Sequence, residues 1–132
     1  MEQNLLSLIE CGRLSPGIVP IHSNPMSKTL HQFIHYLNSQ ISRTNLSNID
    51  KYILIRSFWA LPRIGCTYKQ VDDNTVSVLH GTCRLIDVLL GEILDLQSPL
   101  TPMEWSVVIK SIGKLRYRGN SELVNRILGN LN

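Results

Sequence analysis

The sequence predicts an all-α protein, a short α-solenoid of stacked antiparallel helical hairpins. Three observations predict it. Apolar residues recur three and four apart through most of the chain. No stretch shows strand alternation of matching strength; residues 69–78 contain Val71, Val76 and Val78 but are too polar to insist on as β. One helix-and-turn segment also occurs twice in recognisable form, the signature of a repeat architecture.

The elements follow in order. Residues 2–11 carry Leu5, Leu6, Leu8 and Ile9, a short amphipathic helix that Gly12 should stop. Pro16, Gly17, Pro20 and Pro25 make the next stretch an extended loop. Asn24-Pro25 reads as an N-cap followed by proline at the first helical position. The helix after it carries Leu30, Phe33, Ile34, Leu37 and Ile41 and should end near Ser42. Asn45 to Asn48 is a capping stretch before an apolar helix with Ile49, Tyr52, Ile53, Ile55, Phe58 and Trp59, ended by Pro62. A linker runs to Asn74. A long helix then places Val76, Leu79, Cys83, Ile86, Leu90 and Ile93 on one stripe, up to Pro99. Thr101-Pro102-Met103-Glu104 combines an N-cap, proline at N1 and a capping-box glutamate at N3. The helix it opens should bury Trp105, Val108, Ile109, Ile112 and Leu115. Gly119-Asn120 is the turn into a last helix with Leu123, Val124, Ile127 and Leu128.

The repeat emerges when Leu46 to Cys66 is laid over Leu100 to Asn120 without gaps. Leu46 meets Leu100, Ile55 meets Ile109, Ser57 meets Ser111, Leu61 meets Leu115 and Gly65 meets Gly119. Ser47 meets Thr101 at the cap, Asp50 meets Glu104, and Arg56 meets Lys110. Amphipathic periodicity alone would align the apolar positions, but not the cap, the acid, the cation, the serine and the glycine together. The preceding helices correspond more weakly. The unit is therefore helix, short turn, helix, glycine stop: the helices beginning near Pro25 and Ile49 form one, those near Thr75 and Pro102 the next, and the terminal helix starts a third. A hairpin of this kind cannot bury its apolar face alone, so neighbours stack. The boundary falls between residues 1–24, an N-terminal helix and extended segment, and residues 25–132, the helical-repeat domain.

The 132 residues suit one domain, and 43% hydrophobic with 17% charged residues is a globular rather than a disordered balance. Net charge is only +3, but from Lys110 onward Lys110, Lys114, Arg116, Arg118 and Arg126 face a single acid, Glu122. This end holds more positive charge than the chain's net total. Such an end is the footprint of an anion-binding surface, or a solvated helix end with cations near the negative pole of the dipole. Cys11, Cys66 and Cys83 are odd in number without close pairing, which argues for a reducing compartment rather than a disulfide framework. The best apolar run, Leu85 to Leu96, is interrupted by Asp87, Glu92 and Asp95, so no membrane span is expected. The N-terminus resembles neither a secretory signal nor a basic transit peptide.

No arrangement points to catalysis. His31 and His35 share a helix face, but Gln32 stands where a zinc protease needs glutamate and no third ligand is evident. Asp72-Asp73 lacks the spaced ligands and glycine of a calcium loop, and Gly113-Lys114 is no phosphate loop. Cys66 and Cys83 read as buried small hydrophobes. No metal, cofactor or enzymatic role is expected.

Phe58-Trp59-Ala60-Leu61-Pro62-Arg63-Ile64-Gly65 resembles the "WALAKLG" core of the helical repeats in FAST-kinase-like and RAP-domain proteins, the octotricopeptide and heptatricopeptide type. Ser111 to Leu123 resembles the same segment with its following "ELL" helix. The resemblance covers about half the chain; Pro62 replaces a usual alanine, Gly113 stands opposite Trp59, and no RAP-type C-terminal module is present. It implies an RNA-associated protein of organellar gene expression, a small subunit of a large ribonucleoprotein such as a mitochondrial ribosome. RNA and neighbouring protein subunits would be its partners. The residues expected to meet RNA are Arg56, Lys110, Lys114, Arg116, Arg118 and Arg126 through phosphate, and Tyr117 by stacking on a base or, alternatively, by packing against the next helix. The competing expectation is a protein–protein adaptor or structural subunit with no RNA contact.

Overall fold

The computed structural model describes residues 1–14, 28–41, 45–66, 77–96, 99–117 and 121–130. Among these, six α-helices and no strand occur: α1 (Glu2–Leu14), α2 (Lys28–Ile41), α3 (Lys51–Arg63), α4 (Ser77–Leu94), α5 (Pro102–Leu115) and α6 (Ser121–Asn130). The extended loop, the Asn24-Pro25 cap, most of the 63–74 linker and the Gly119-Asn120 turn lie outside the described residues.

Two helices run through the breakers expected to stop them. α1 continues past Gly12 to Leu14. Gly12 is a packing residue: an added Cβ would stand 2.7 Å from the Ala60 Cβ and 2.9 Å from its Cα. Pro62 lies inside the last turn of α3. A helical proline loses one N–H bond, and here the helix closes directly afterwards. Ile64 N–H donates to Ala60 O, Gly65 N–H to Pro62 O and Cys66 N–H to Leu61 O, and Gly65 turns the chain at φ 100°.

The starts differ in the same way. Asp50, not Ser47, is the N-cap of α3, its side chain accepting from Tyr52 N–H. Asn45 accepts from Ser47 N–H at 2.9 Å and forms the turn before it. The capping box at Thr101 and Glu104 is fully formed, with Pro102 opening α5. In repeat register α3 therefore starts and ends later than α5, and the two copies coincide in their middles. Leu54 and Val108, Ser57 and Ser111, and Leu61 and Leu115 are buried as pairs.

The extensive helix contacts are α1 with α3, α3 with α5, α2 with α4, α4 with α6, and α3 with α4. Alternate helices thus pack side by side, and the α3/α4 pair joins the two sets. The expected partners α2 with α3 and α4 with α5 touch at most slightly among the described residues. Lys51 Nζ lies 3.0 Å from Glu104 Oε1, binding the first turns of α3 and α5, and Arg63 Nε donates to Gly12 O at 2.8 Å, binding the last turns of α1 and α3. These three helices run in the same direction. α4 returns the opposite way, because the start of α3 (Leu46, Lys51, Leu54) and the end of α4 (Glu92, Asp95, Leu96) line one cleft of about 500 Å³.

α3 is the centre of the core. Ile53, Leu54, Ile55, Phe58, Ala60 and Leu61 are buried almost all round it. Each large side chain so buried contributes about 1.5–3 kcal/mol. α1, read as lying outside the repeat domain, puts Leu5, Leu8 and Ile9 into the same core. The outer helices bury one stripe only. Ile109, expected inside, is exposed, as are Leu6, Tyr52, Val124 and Leu128. α5 and α6 receive neighbours on fewer sides than α3, so part of their apolar surface stays open.

Candidate nucleic-acid interface

The outward side of α3 carries Tyr52, Arg56, Trp59 and Arg63 at successive turns, the spacing that brings helical side chains together. They stack into a ladder. The Arg56 guanidinium carbon lies 5.7 Å from the Tyr52 ring centre and 5.2 Å from that of Trp59, and the Arg63 guanidinium carbon lies 4.7 Å from the Trp59 ring centre. A planar cation held over an aromatic face keeps its N–H edge for anions. Arg56 makes no ion pair among the described residues. Arg63 is anchored to the Gly12 carbonyl.

α1 closes the ladder from one side. Ile9 and Arg13 join Tyr52, Arg56 and Trp59 around a cleft of about 220 Å³. Arg13 pairs with Glu10 at 3.0 Å, but both side chains are more than half exposed and such a pair is worth little. The cleft exists because Gly12 lets α1 approach the α3 backbone at Ala60. Of the expected site residues only Arg56 belongs here. Arg13, Tyr52, Trp59 and Arg63 escaped sequence reasoning, although the four-residue step from Tyr52 to Arg56 was legible as a shared helix face.

The other expected residues divide into two groups. Lys110, Lys114 and Arg116 are exposed on α5 and at its end, with no ion pair among the described residues. Arg116 is the C-cap of α5, in the left-handed region at φ 53°. Tyr117 and Arg126 are instead tied to acids. Tyr117 is half-buried, and its hydroxyl donates at 2.6 Å to Asp87 Oδ1 on α4, the preceding helix and not the next one. Arg126 Nη2 lies 2.6 Å from Asp95 Oδ1. Arg118 lies outside the described residues.

In repeat register Tyr52, Arg56, Trp59 and Arg63 correspond to Ser106, Lys110, Gly113 and Tyr117. The cation persists on α5, while the ring–guanidinium ladder does not. The larger cleft between α3 and α4 has the wrong sign for an anion: Glu92 and Asp95 line it, and Lys51 there is engaged by Glu104.

No group of metal-ligating side chains occurs among the described residues; His35 is exposed, and the His31 side chain is outside them. Burial pushes the Cys66 thiol up to about 12, which keeps it protonated at neutral pH. No described helix is long and apolar enough to cross a membrane. No family model, curated protein or solved structure matches the chain.

Proposed function

We propose that this chain is an RNA-associated helical-repeat protein. The observation that carries the reading is the row of cations without acid partners among the described residues: Arg56 on α3, then Lys110 and Lys114 on α5 with Arg116 at its end. α3 and α5 pack together and run in the same direction, and Arg56 and Lys110 hold matching positions in the repeat. Equivalent positions on parallel helices project to the same side, which makes a track for a phosphate backbone. The rows α1–α3–α5 and α2–α4–α6 are what supports a short solenoid of stacked helices, while the expected hairpins, α2 with α3 and α4 with α5, touch at most slightly among the described residues. The organellar setting, a small subunit of a mitochondrial-ribosome-like particle, is what the resemblance of the Trp59-to-Gly65 segment implies. No catalytic role, metal or cofactor is assigned.

The test is fluorescence anisotropy of a labelled mixed-sequence single-stranded RNA across a salt titration. The logarithm of affinity should fall with the logarithm of salt at a slope of about −0.7 per phosphate neutralised. A Lys110→Ala, Lys114→Ala, Arg116→Ala triple variant should bind more weakly and with a slope shallower by about 2. No binding at low salt by the folded chain would refute the reading. It would favour a protein–protein adaptor, for which the exposed Met103, Val124 and Leu128 are the supporting observation.

A further inference from the structure

We propose that the cleft between α1 and α3 holds one unpaired nucleotide of a single-stranded RNA, its phosphate on Arg13 and Arg56 and its base against the ring of Tyr52. The proposal deepens the RNA reading and rests on it. Three features of the cleft select this ligand.

The first is the pairing of charge with aromatic surface. Arg56 is held between two rings, so its fork is oriented before any ligand arrives, and preorganised donors lose less freedom on binding. Arg13 stands at the rim, released from Glu10 at small cost. Two guanidiniums beside aromatic surface suit a phosphate carrying a base better than an inorganic anion.

The second is Tyr52. Arg56 stacks on its ring, yet the residue remains 60% exposed, an unusual position for an aromatic group in a helix that is otherwise the centre of the core. A nucleobase stacked there would extend the ladder Tyr52–Arg56–Trp59–Arg63 by one layer. Unstacked bases of single strands are available for this contact; those inside a duplex are not.

The third is size. At about 220 Å³ the cleft is smaller than the roughly 300 Å³ at which pockets begin to enclose whole ligands. It accommodates one unit of a chain that continues outside. Ser106 and Gly113 replace the rings on α5, so the site occurs once rather than in every repeat. The strand would be gripped by stacking at α3 and by charge alone along α5.

Trp59 reports on the cleft directly. The chain has two tryptophans, and Trp105→Phe leaves Trp59 as the only one. In that background, oligouridylate should change Trp59 emission saturably, at the concentrations where anisotropy reports binding. Tyr52→Ala should weaken binding about 5- to 150-fold, the range one base–aromatic stack supplies. Tyr52→Phe should bind as the parent does, with thermal melts showing both variants folded. Arg56→Lys should also weaken binding, since it retains the charge and loses the fork. Polyphosphate, which has no bases, and duplex RNA should leave the Tyr52→Ala variant indistinguishable from its parent. RNA that binds by anisotropy while Trp59 stays silent and Tyr52→Ala is neutral would overturn the proposal and leave the RNA reading intact. A folded chain that binds no RNA would overturn both.

Discussion

Replacing Gly12 by alanine tests the contact on which both the fold of α1 and the cleft depend. A Cβ at this position meets the Ala60 Cβ at 2.7 Å, the Ala60 Cα at 2.9 Å and the Trp59 ring at 3.4 Å. The two closest atoms sit on or next to the α3 backbone, so neither can swing aside as the tip of a long side chain would. Forcing one extra carbon into a packed contact costs about 1–3 kcal/mol. Against that, alanine is favoured over glycine inside a helix by about 0.8–1.0 kcal/mol. This gain is smaller at Gly12, which is close to the end of α1. The balance is a loss of about 1–2 kcal/mol. Gly113 is the internal control: it stands as close to the end of α5 as Gly12 does to the end of α1, and an added Cβ there meets nothing within 4 Å. Gly113→Ala should therefore stabilise by up to about 1 kcal/mol. The two variants should differ by about 1–3 kcal/mol, with Gly12→Ala melting below the parent and Gly113→Ala above it. At roughly 3–5 °C per kcal/mol for a chain of this size, the separation is about 3–15 °C in Tm by circular dichroism. If Gly12→Ala melts as high as Gly113→Ala, α1 does not pack on Ala60 as described, and the cleft loses its wall.

Three further outcomes follow from the same structure. Ser57 Oγ is fully buried and makes no hydrogen bond among the described residues, whereas Ser111 Oγ, its repeat counterpart, donates to Val107 O at 2.8 Å. Ser57→Ala should raise stability by about 1 kcal/mol, as expected when an unsatisfied buried hydroxyl is removed, and Ser111→Ala should not; chemical denaturation of the two variants checks this. Glu104 has its carboxyl held below its usual 4.5 mainly by the Thr101 backbone N–H, with Lys51 adding to it. A carboxyl depressed by folding stabilises above its unfolded-state value and loses that contribution as pH falls through the folded value. Denaturation midpoints should therefore decline below about pH 4.5, and less so in Glu104→Gln; an identical acid profile in the two proteins would remove Glu104 from the account. Thr101→Ala should cost about 0.5–2 kcal/mol at neutral pH through loss of the cap.

Much of the helical layout was legible because its signals are local. The capping box at Thr101 and Glu104 depends on four consecutive residues, and the stripe of Ile86, Leu90 and Ile93 depends only on helical period. Breakers misled where packing outweighed propensity. Gly12 reads as a stop, yet the contact with Ala60 gives a helical glycine a use. Pro62 reads as an end, yet α3 runs on to Arg63 and closes just after it through the N–H groups of Ile64, Gly65 and Cys66. The amphipathic pattern of α5 placed Ile109 inside; whether a stripe is covered depends on how many neighbours the helix has, and α5 lacks the one that α1 provides for α3.

The sequence by itself determined that the chain is helical, that its middle is echoed near its end, and that its C-terminal part is rich in cations. Each of these is a matter of composition, period or short spacing. Tertiary structure decided which helices became partners. It set α1 beside α3 rather than apart from the repeat, tied Tyr117 and Arg126 to the acids Asp87 and Asp95, and left Lys110, Lys114 and Arg116 exposed without such partners among the described residues. It also assembled the cleft of Arg13, Tyr52, Arg56 and Trp59. Arg13 and Tyr52 are far apart in the chain and meet only because two helices cross at a glycine, a contact that no local pattern encodes.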